Sequence, residues 1–240
     1  MNKRNIVDIH AHILPGVDDG AKDIRETCML LQKAAEQGVT AVIATPHNST
    51  RLGTEQLRKL TMQVELEFGR RFPDFYLYPG QEIYFHEEMI GRLREGKLLT
   101  MADSRYVMVE FSPGVSYGNL HRGIRTLVSA GYWPVLAHVE RYRCLRREEN
   151  FRDLEESGCL FQMNYSSLTG GRFSGDVRWC RKQVLAGRIH FLGTDMHRMD
   201  FRPPEIDRAM EWLEKHVDEE LLEEMTWGNP MHMINKEGIL

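Results

Sequence analysis

The sequence is poor in cysteine, and the four cysteines that it has show no functional spacing. Cys28, Cys144, Cys159 and Cys180 form no CxxC pair, and none is followed six residues later by arginine. The spacing therefore excludes a thiolate zinc cage and the CxxxxxR loop of cysteine-dependent phosphatases. We expect reduced cysteines that pack as small apolar residues.

Long apolar runs and an excess of basic charge are also missing. No stretch approaches the roughly 18 apolar residues of a membrane span, and no signal-peptide pattern is visible. Lys and Arg number 31 against 35 Asp and Glu, which gives a net charge of -4. This balance argues against nucleic acid as the main partner. We expect a cytoplasmic protein without membrane insertion.

Strand-like and helix-like stretches alternate along the chain. Seven strands are predicted, at residues 6–12, 39–47, 76–84, 107–112, 134–139, 159–164 and 189–194. Helices are predicted between them, including residues 23–37 and 54–72, and at the end of the chain over residues 204–216, 218–225 and 229–235. Repeated β-then-α units predict a parallel α/β fold, and seven closing strands favour a TIM-like barrel. Because no linker or repeat is visible, we expect one domain over residues 1–240.

Histidines and carboxylates stand at the ends of the predicted strands, where active sites of such barrels lie. Alternate residues of a strand face one side, so two i, i+2 pairs should each converge. Nine candidates exceed the needs of one ion, and their mixture of imidazole and carboxylate suits Mn, Fe or Zn. They are His10, His12, Asp19, His47, Glu82, Glu110, His138, Asp195 and His197.

Asp19 has an alternative interpretation. An aspartate that precedes glycine is a common turn residue, and the neighbouring Asp18 competes for the same role. The sequence leaves both alternatives open.

The motifs together resemble a known family. DIHAH at residues 8–12 with VDDG at 17–20 resembles the opening of the PHP (polymerase and histidinol phosphatase) superfamily. GQEIY at 80–84, VEFS at 109–112, AHVERY at 137–142 and DMH at 195–197, followed by RPP at 202–204, resemble one branch of it. That branch is the bacterial manganese-dependent tyrosine-protein phosphatases of capsule and exopolysaccharide operons (CpsB/YwqE-like). The likeness runs over residues 6–230.

The resemblance implies a distorted (β/α)7 barrel with three divalent metal ions, manganese being favoured over iron or zinc. It implies a first ion held by His10, His12, Glu82 and Asp195. Glu82 would bridge to a second ion completed by Glu110 and His138, and a third ion would be held by Asp19, His47 and His197.

The resemblance also implies a reaction and a substrate. A water that bridges two ions would attack the phosphorus of phosphotyrosine in a protein, the implied protein being a cognate bacterial tyrosine kinase that controls polysaccharide export. Arg141 and Arg202 would bind the phosphoryl group and stabilise its charge, since a guanidinium grips two oxygens at once. A phenol with a pKa of about 10 leaves readily, so no strong general acid is required; Asp18 is a candidate if one exists.

Three alternatives remain open from the sequence. A small-molecule phosphatase such as histidinol-phosphate phosphatase would use the same ligands, a nuclease fits the acidic balance poorly, and a non-catalytic metal-bound module could dock on a kinase. Tyrosines near strand ends either line a shallow mouth or pack in the barrel rim; they are Tyr84, Tyr117, Tyr142 and Tyr165.

Overall fold

The structure, a computed structural model, describes residues 4–171 and 174–239. Its strands are β1 (Ile6–Ala11), β2 (Val39–Ala44), β3 (Tyr76–Pro79), β4 (Glu82–Tyr84), β5 (Tyr106–Glu110), β6 (Trp133–Leu136), β7 (Leu160–Asn164) and β8 (Phe191–Gly193). Its helices are α1 (Ile24–Glu36), α2 (Thr54–Gly69), α3 (Met89–Arg94), α4 (Tyr117–Ser129), α5 (Glu148–Glu156), α6 (Gly175–Leu185), α7 (Asp207–His216), α8 (Glu219–Glu223) and α9 (Asn229–Ile234), with a π-helical turn at Glu224–Gly228. Among the described helices, none has both the length and the apolar character to cross a bilayer.

The strands form two parallel sheets that close into a ring. One sheet has the order β1-β2-β3 and the other the order β4-β5-β6-β7-β8. Isolated parallel bridges join the two sheets, His47 to Glu82 on one side and Ala11 to Met196 on the other. The predicted parallel α/β barrel is confirmed.

Both seams of this ring pass through predicted ligands. At one seam the backbone N–H of Glu82 donates to the carbonyl of Pro46 at 3.1 Å. At the other, the N–H of Asp195 donates to the carbonyl of His10 at 2.8 Å. Closure of the barrel therefore itself brings distant segments of the sequence together at one rim.

The third predicted strand differs from the prediction, because residues 76–84 form two strands rather than one. The chain passes close to β2 at Gly80, where a Cβ atom would lie 2.8 Å from Cγ2 of Ile43. Beyond this crossing Glu82 leaves the first sheet and pairs with Met108 of β5. The break is what aims Glu82 toward the barrel mouth.

Several helix bounds also differ from the predicted ones. The helix predicted over residues 54–72 ends at Gly69, and the one predicted over 218–225 gives way to the π-helical turn after Glu223. The start of α1 agrees with the prediction, since the Asp23 side chain accepts a hydrogen bond from the N–H of Glu26 at 2.9 Å.

The C-terminal helices cover the end of the barrel at which the strands begin. Met233 of α9 is fully buried and packs with Val7, Ile9 and Phe191 in the apolar cluster of the barrel interior. The hydroxyl of Tyr106, the first residue of β5, donates to the carbonyl of Glu237 at 2.8 Å. The C-terminal ends of the strands therefore form the open rim. All four cysteines are free, as expected, and Cys159 and Cys180 are buried.

Candidate metal centre

The nine predicted ligands lie together at the open rim. Eight of them form three overlapping groups in which the ligand atoms lie within 4.8 Å of one another: His12, Asp19, His47 and His197; His10, His12 and Asp195; and His47, Glu82 and Glu110. His138 adjoins the third group, with its Nε2 atom 2.8 Å from Oε1 of Glu82. The structure thus brings together side chains that are up to 187 positions apart, from His10 to His197.

Four buried side chains form the middle of the centre. The Nε2 atoms of His10 and His12 are 3.3 Å apart. Each lies 3.2–3.5 Å from Oε2 of Glu82 and from Oδ1 of Asp195. All four residues are at most 1% exposed. Two buried carboxylates at this separation from two imidazoles need a shared positive charge.

Hydrogen bonds from outside the centre fix the two rings. The Nδ1 atom of His10 faces the amide oxygen of Gln162 at 3.1 Å, and Nδ1 of His12 faces Oδ2 of Asp18 at 2.8 Å. Because both partners are acceptors, each neutral ring carries its proton on Nδ1 and turns the lone pair of Nε2 inward. Two nitrogen lone pairs and two carboxylate oxygens then converge, and no hydrogen-bond donor lies among them. Such a set of nitrogen and oxygen ligands suits a divalent cation.

The carboxylates set the electrostatics of the centre. Burial opposes a charge on His12, but the carboxylates of Asp18 and Glu82 overcome it and raise its pKa to about 10. Burial likewise opposes a charge on His138, and Glu110 and Glu82 raise its pKa to about 9. The field in the centre therefore stabilises positive charge, whether as a proton or as a metal ion.

Glu82 connects two parts of the centre through its two oxygens. Its Oε2 faces His10 and His12, whereas its Oε1 lies 2.8 Å from Nε2 of His138. The same nitrogen of His138 lies 3.3 Å from Oε1 of Glu110. This geometry suits a carboxylate that bridges two ions.

The group of His12, Asp19, His47 and His197 is more open than the other two groups. The Nε2 atoms of His47 and His197 lie 3.6 and 3.7 Å from Oδ1 of Asp19. His197 donates from Nδ1 to the carbonyl of Asp195 at 2.8 Å, which leaves its Nε2 free for a ligand role. The Asp19 side chain is 64% exposed, so this corner of the centre is the least tightly held.

Both predicted arginines lie at the centre and contact the same carboxylate oxygen. Oδ2 of Asp195 accepts hydrogen bonds from Nη2 of Arg141 at 2.7 Å, from Nη1 of Arg202 at 2.9 Å and from Nδ2 of Asn164 at 3.0 Å. Burial alone would raise the pKa of Asp195, but the neighbouring positive charges hold it well below its usual range. The two arginine side chains remain 31% and 35% exposed.

A network of buried amide side chains, which the sequence analysis did not predict, makes hydrogen bonds to the candidate ligands. Gln162 accepts the backbone N–H of His138 at 2.7 Å and donates to Oδ1 of Asn164 at 2.9 Å, and Asn164 in turn reaches Asp195. Both amides lie on β7 two positions apart and are buried. That i, i+2 spacing of polar side chains on a buried strand is the signal that could have revealed them.

Asp8 is another missed residue, and it closes the barrel beside the centre. Its Oδ1 accepts the backbone N–H groups of His10 at 3.2 Å and of Thr194 at 3.0 Å, and its Oδ2 accepts the Thr194 hydroxyl. Burial is the main cause that raises the pKa of Asp8 to about 6. The hydrogen bonds of Asp8 therefore join β1 to the segment that follows β8.

Asp18 does not fit the general-acid role considered for it. Its Oδ2 accepts from His12 and from the backbone N–H of His47 at 3.0 Å, and its Oδ1 accepts from the N–H of Gly20 at 3.0 Å. Although burial opposes the charge, these bonds lower its pKa to about 2. A carboxylate with both oxygens engaged as acceptors orients its neighbours and has no proton to give.

The idea of a mouth lined by tyrosines is mostly wrong. Tyr142 and Tyr165 are buried, and the Tyr142 hydroxyl accepts the backbone N–H of Phe111 at 3.0 Å. The Tyr117 hydroxyl bonds to Asp153. Of the four, Tyr84 keeps a largely exposed ring, at 49%.

Comparison with known proteins shows which family the chain belongs to. The family model for capsular polysaccharide synthesis, CpsB/CapC, matches residues 6–235. The tyrosine-protein phosphatase CpsB of Streptococcus pneumoniae is 30% identical over 238 residues, which is 95% of this chain and 98% of that protein. The tyrosine-protein phosphatase YwqE of Bacillus subtilis (strain 168) is 30% identical over 220 residues, 90% of this chain and 87% of that protein.

Solved structures give the same result for the fold. A chain from the crystal structures of YwqE from Bacillus subtilis and CpsB from Streptococcus pneumoniae, described as unique metal-dependent tyrosine phosphatases, superposes with a TM-score of 0.88 at 29% identity and covers 98% of this chain and 96% of that one. The phosphotriesterase homology protein of Escherichia coli shares the fold at 11% identity, with a TM-score of 0.63 and coverage of 98% and 100%. The chain belongs to the CpsB/CapC family of capsular polysaccharide synthesis.

Proposed function

We propose that the chain is a metal-dependent phosphatase that hydrolyses phosphotyrosine in proteins. One observation carries the proposal: the lone pairs of two buried histidines and two buried carboxylates converge within 3.2–3.5 Å, and two arginines border them. The relatives that match most of the chain bear the name tyrosine-protein phosphatase, which agrees with this chemistry.

The donor set fits three divalent ions, with manganese as the preferred metal. One ion would be held by His10, His12, Glu82 and Asp195, a second by Glu82, Glu110 and His138, and a third by Asp19, His47 and His197. Oxygen-rich ligation without thiolate favours manganese or iron over zinc. When bound, such ions supply Lewis-acid charge and lower the pKa of coordinated water toward neutrality.

The two arginines position the phosphoryl group. Each donates one N–H to Asp195, which anchors the guanidinium at the edge of the centre, and each keeps about a third of its side chain exposed. The remaining N–H groups are available to a phosphoryl oxygen, where a planar guanidinium gives two parallel hydrogen bonds. Charge that builds up on the phosphoryl oxygens is thereby stabilised by donors already in place.

The leaving group needs little help from this chain. A phenol has a pKa of about 10, so its oxygen departs far more readily than a serine alkoxide. Asp18, the carboxylate considered for proton donation, is engaged as an acceptor. An aryl ester is therefore the phosphomonoester that this set of groups serves best.

We further propose that the protein substrate is a bacterial tyrosine kinase of capsular polysaccharide synthesis, the process named by the matching family. The free thiols of the chain fit a reducing compartment, so we propose the cytoplasm as the place of action.

Metal analysis combined with activity assays tests the proposal. We expect bound manganese in the active protein, loss of phosphotyrosine-peptide hydrolysis on chelation, and recovery when manganese is added back. His10→Ala should abolish most activity while the protein stays folded, whereas His232→Ala changes a half-exposed histidine on α9 and should leave activity intact. Faster hydrolysis of histidinol phosphate than of the peptide would favour a small-molecule phosphatase. Full activity without any bound transition metal would overturn the proposal.

A further inference from the structure

The chain that follows β8 forms a tight two-stranded turn at the edge of the metal centre. The backbone N–H of His197 donates to the carbonyl of Arg202 at 2.9 Å. Inside this pair, Arg198 and Phe201 exchange two hydrogen bonds, at 3.0 and 3.3 Å. The turn therefore links a candidate metal ligand to a candidate phosphate-binding arginine through four intervening residues.

Contacts to the start of α1 hold this turn in place. The backbone N–H of Met199 donates to Oε1 of Glu26 at 3.1 Å, and Nζ of Lys22 lies 3.2 Å from Oδ2 of Asp200. Glu26 also accepts the backbone N–H of Lys22 through its other oxygen. These contacts hold the turn in position without the side chain of Phe201.

Phe201 projects from this turn with its ring half exposed. The ring is 49% exposed although it stands beside buried site residues. It meets the His197 ring edge to face, with centroids 6.3 Å apart and planes at 86°. The guanidinium carbons of Arg202 and Arg198 lie 5.3 and 5.8 Å from its centroid. A half-exposed aromatic ring therefore lies directly beside the group that would hold a phosphoryl oxygen.

We propose that Phe201 forms an aryl subsite, on which the phenyl ring of an aryl phosphomonoester packs while Arg202 holds the phosphoryl group. The proposal rests on the function proposed above and assigns its preference for phosphotyrosine to one side chain. In an aryl ester a single oxygen separates phosphorus from the ring, so a ring next to Arg202 lies within reach of the ring of the ester. Offset or edge-to-face packing of two rings is favourable, and a small alkyl ester offers no such contact.

The competing role for Phe201 is to support the arginines by packing against them. The two roles differ in which ligands they affect. Lost support of Arg202 would weaken every phosphoryl ligand, whereas a lost aryl subsite would weaken only ligands that carry an aromatic ring. Phe201→Leu separates them further, because leucine keeps apolar packing but has no aromatic face.

Calorimetric titration of the manganese-loaded protein with benzylphosphonate and methylphosphonate tests the proposal without turnover. We expect Phe201→Ala to weaken benzylphosphonate by about five- to tenfold, the size of one aromatic pair, and to leave methylphosphonate unchanged. Phe201→Leu should resemble the alanine variant, and Phe201→Trp should retain wild-type binding. The matched control is Tyr76→Ala, which removes a ring that is 52% exposed at the first residue of β3, at the closed end of the barrel. It should change neither ligand.

Equal weakening of both phosphonates by Phe201→Ala would overturn the proposal in favour of arginine support. Unchanged binding of benzylphosphonate would overturn it as well. Failure of the proposed function looks different: wild-type protein would then not hydrolyse a phosphotyrosine peptide, while its binding preference between the two phosphonates could still be read.

Discussion

Asp18→Asn is the substitution that most directly tests how the centre is organised. The Asp18 carboxylate is only 4% exposed and accepts three hydrogen bonds, from Nδ1–H of His12 and from the backbone N–H groups of His47 and Gly20. An amide of the same shape has one acceptor and one donor end. In either orientation of the amide, its NH2 group must face an N–H group that has a carboxylate oxygen as its acceptor in the wild-type protein.

The two orientations differ in their consequences for His12. If the amide NH2 faces Gly20, one backbone N–H loses its partner. If it faces His12, the ring must accept at Nδ1 and move its proton to Nε2, which then points toward Glu82 and Asp195 and blocks the lone pair. A charge-assisted hydrogen bond contributes about 1.5–3 kcal/mol. Mutation of a residue that hydrogen-bonds to a metal-binding histidine typically lowers metal affinity by about 10–100-fold. We expect manganese affinity to fall by about 10–100-fold, at 1.4 kcal/mol for each tenfold step.

Manganese titration of phosphatase activity, followed by thermal unfolding with and without metal, measures this effect. Excess manganese should restore much of the activity of Asp18→Asn. Asp23→Asn is the matched control: the Asp23 carboxylate caps α1 through the N–H of Glu26, and asparagine caps a helix equally well. Wild-type manganese affinity in Asp18→Asn would refute the reasoning. An unchanged affinity with a lower kcat, more severe for phenyl phosphate than for p-nitrophenyl phosphate, would restore Asp18 as a general acid.

Three further predictions follow from single contacts. Gly193→Ala would place a Cβ atom 2.8 Å from Cβ of His10, so we expect a loss of about 1–3 kcal/mol in the free energy of unfolding together with weaker manganese binding; unchanged chemical denaturation would contradict this. Arg202→Lys keeps the charge but loses the planar donor pair beside Asp195, so kcat/KM for the peptide should fall at least about tenfold with metal content unchanged, and a variant with wild-type kcat/KM would exclude a phosphate contact. Burial lowers the pKa of His190 from 6.5 to about 4, so between these values the folded state binds fewer protons than the unfolded one. Stability should therefore fall as the pH falls through this window, and His190→Asn should flatten that part of the curve of unfolding free energy against pH.

The convergence of the nine candidate ligands at one rim could be predicted from the sequence because the topology of a parallel barrel determines it. In a parallel barrel the C-terminal ends of all strands meet at one rim, so a residue such as His138, directly after an apolar run, can be placed without knowing its neighbours. Its nearest partner, Glu82, also comes after an apolar run, although in the structure it is the first residue of β4. The pattern sufficed to gather the ligands, but their roles as ligands and the single domain over residues 1–240 stay predictions.

The supporting residues could not be found in this way. Gln162 matters because its oxygen faces both His10 and the backbone of His138, a relation that depends on how β7 sits against two other strands. The break at Gly80 depends on the close approach of β2, and nothing local in the sequence distinguishes it from a continuous strand. The exposure of Phe201 depends on a turn held by contacts to the start of α1, so the sequence alone gives no sign of it.

Backbone conformation explains why strand periodicity places some ligands and not others. His10 belongs to β1, and simple alternation brings its Nε2 within 3.3 Å of that of His12. His138, Asp195 and Arg202 instead have positive φ values of 35°, 52° and 60°, which non-glycine residues adopt at a cost of about 1–3 kcal/mol each. Each of them has a backbone conformation that strand residues do not adopt. The i, i+2 reasoning applied to Asp195 and His197 therefore gave the right neighbours for an incomplete reason. Strain of this kind persists only where surrounding contacts enforce it. Two such contacts are the backbone hydrogen bonds from Asp195 to His10 at 2.8 Å and from His197 to Arg202 at 2.9 Å.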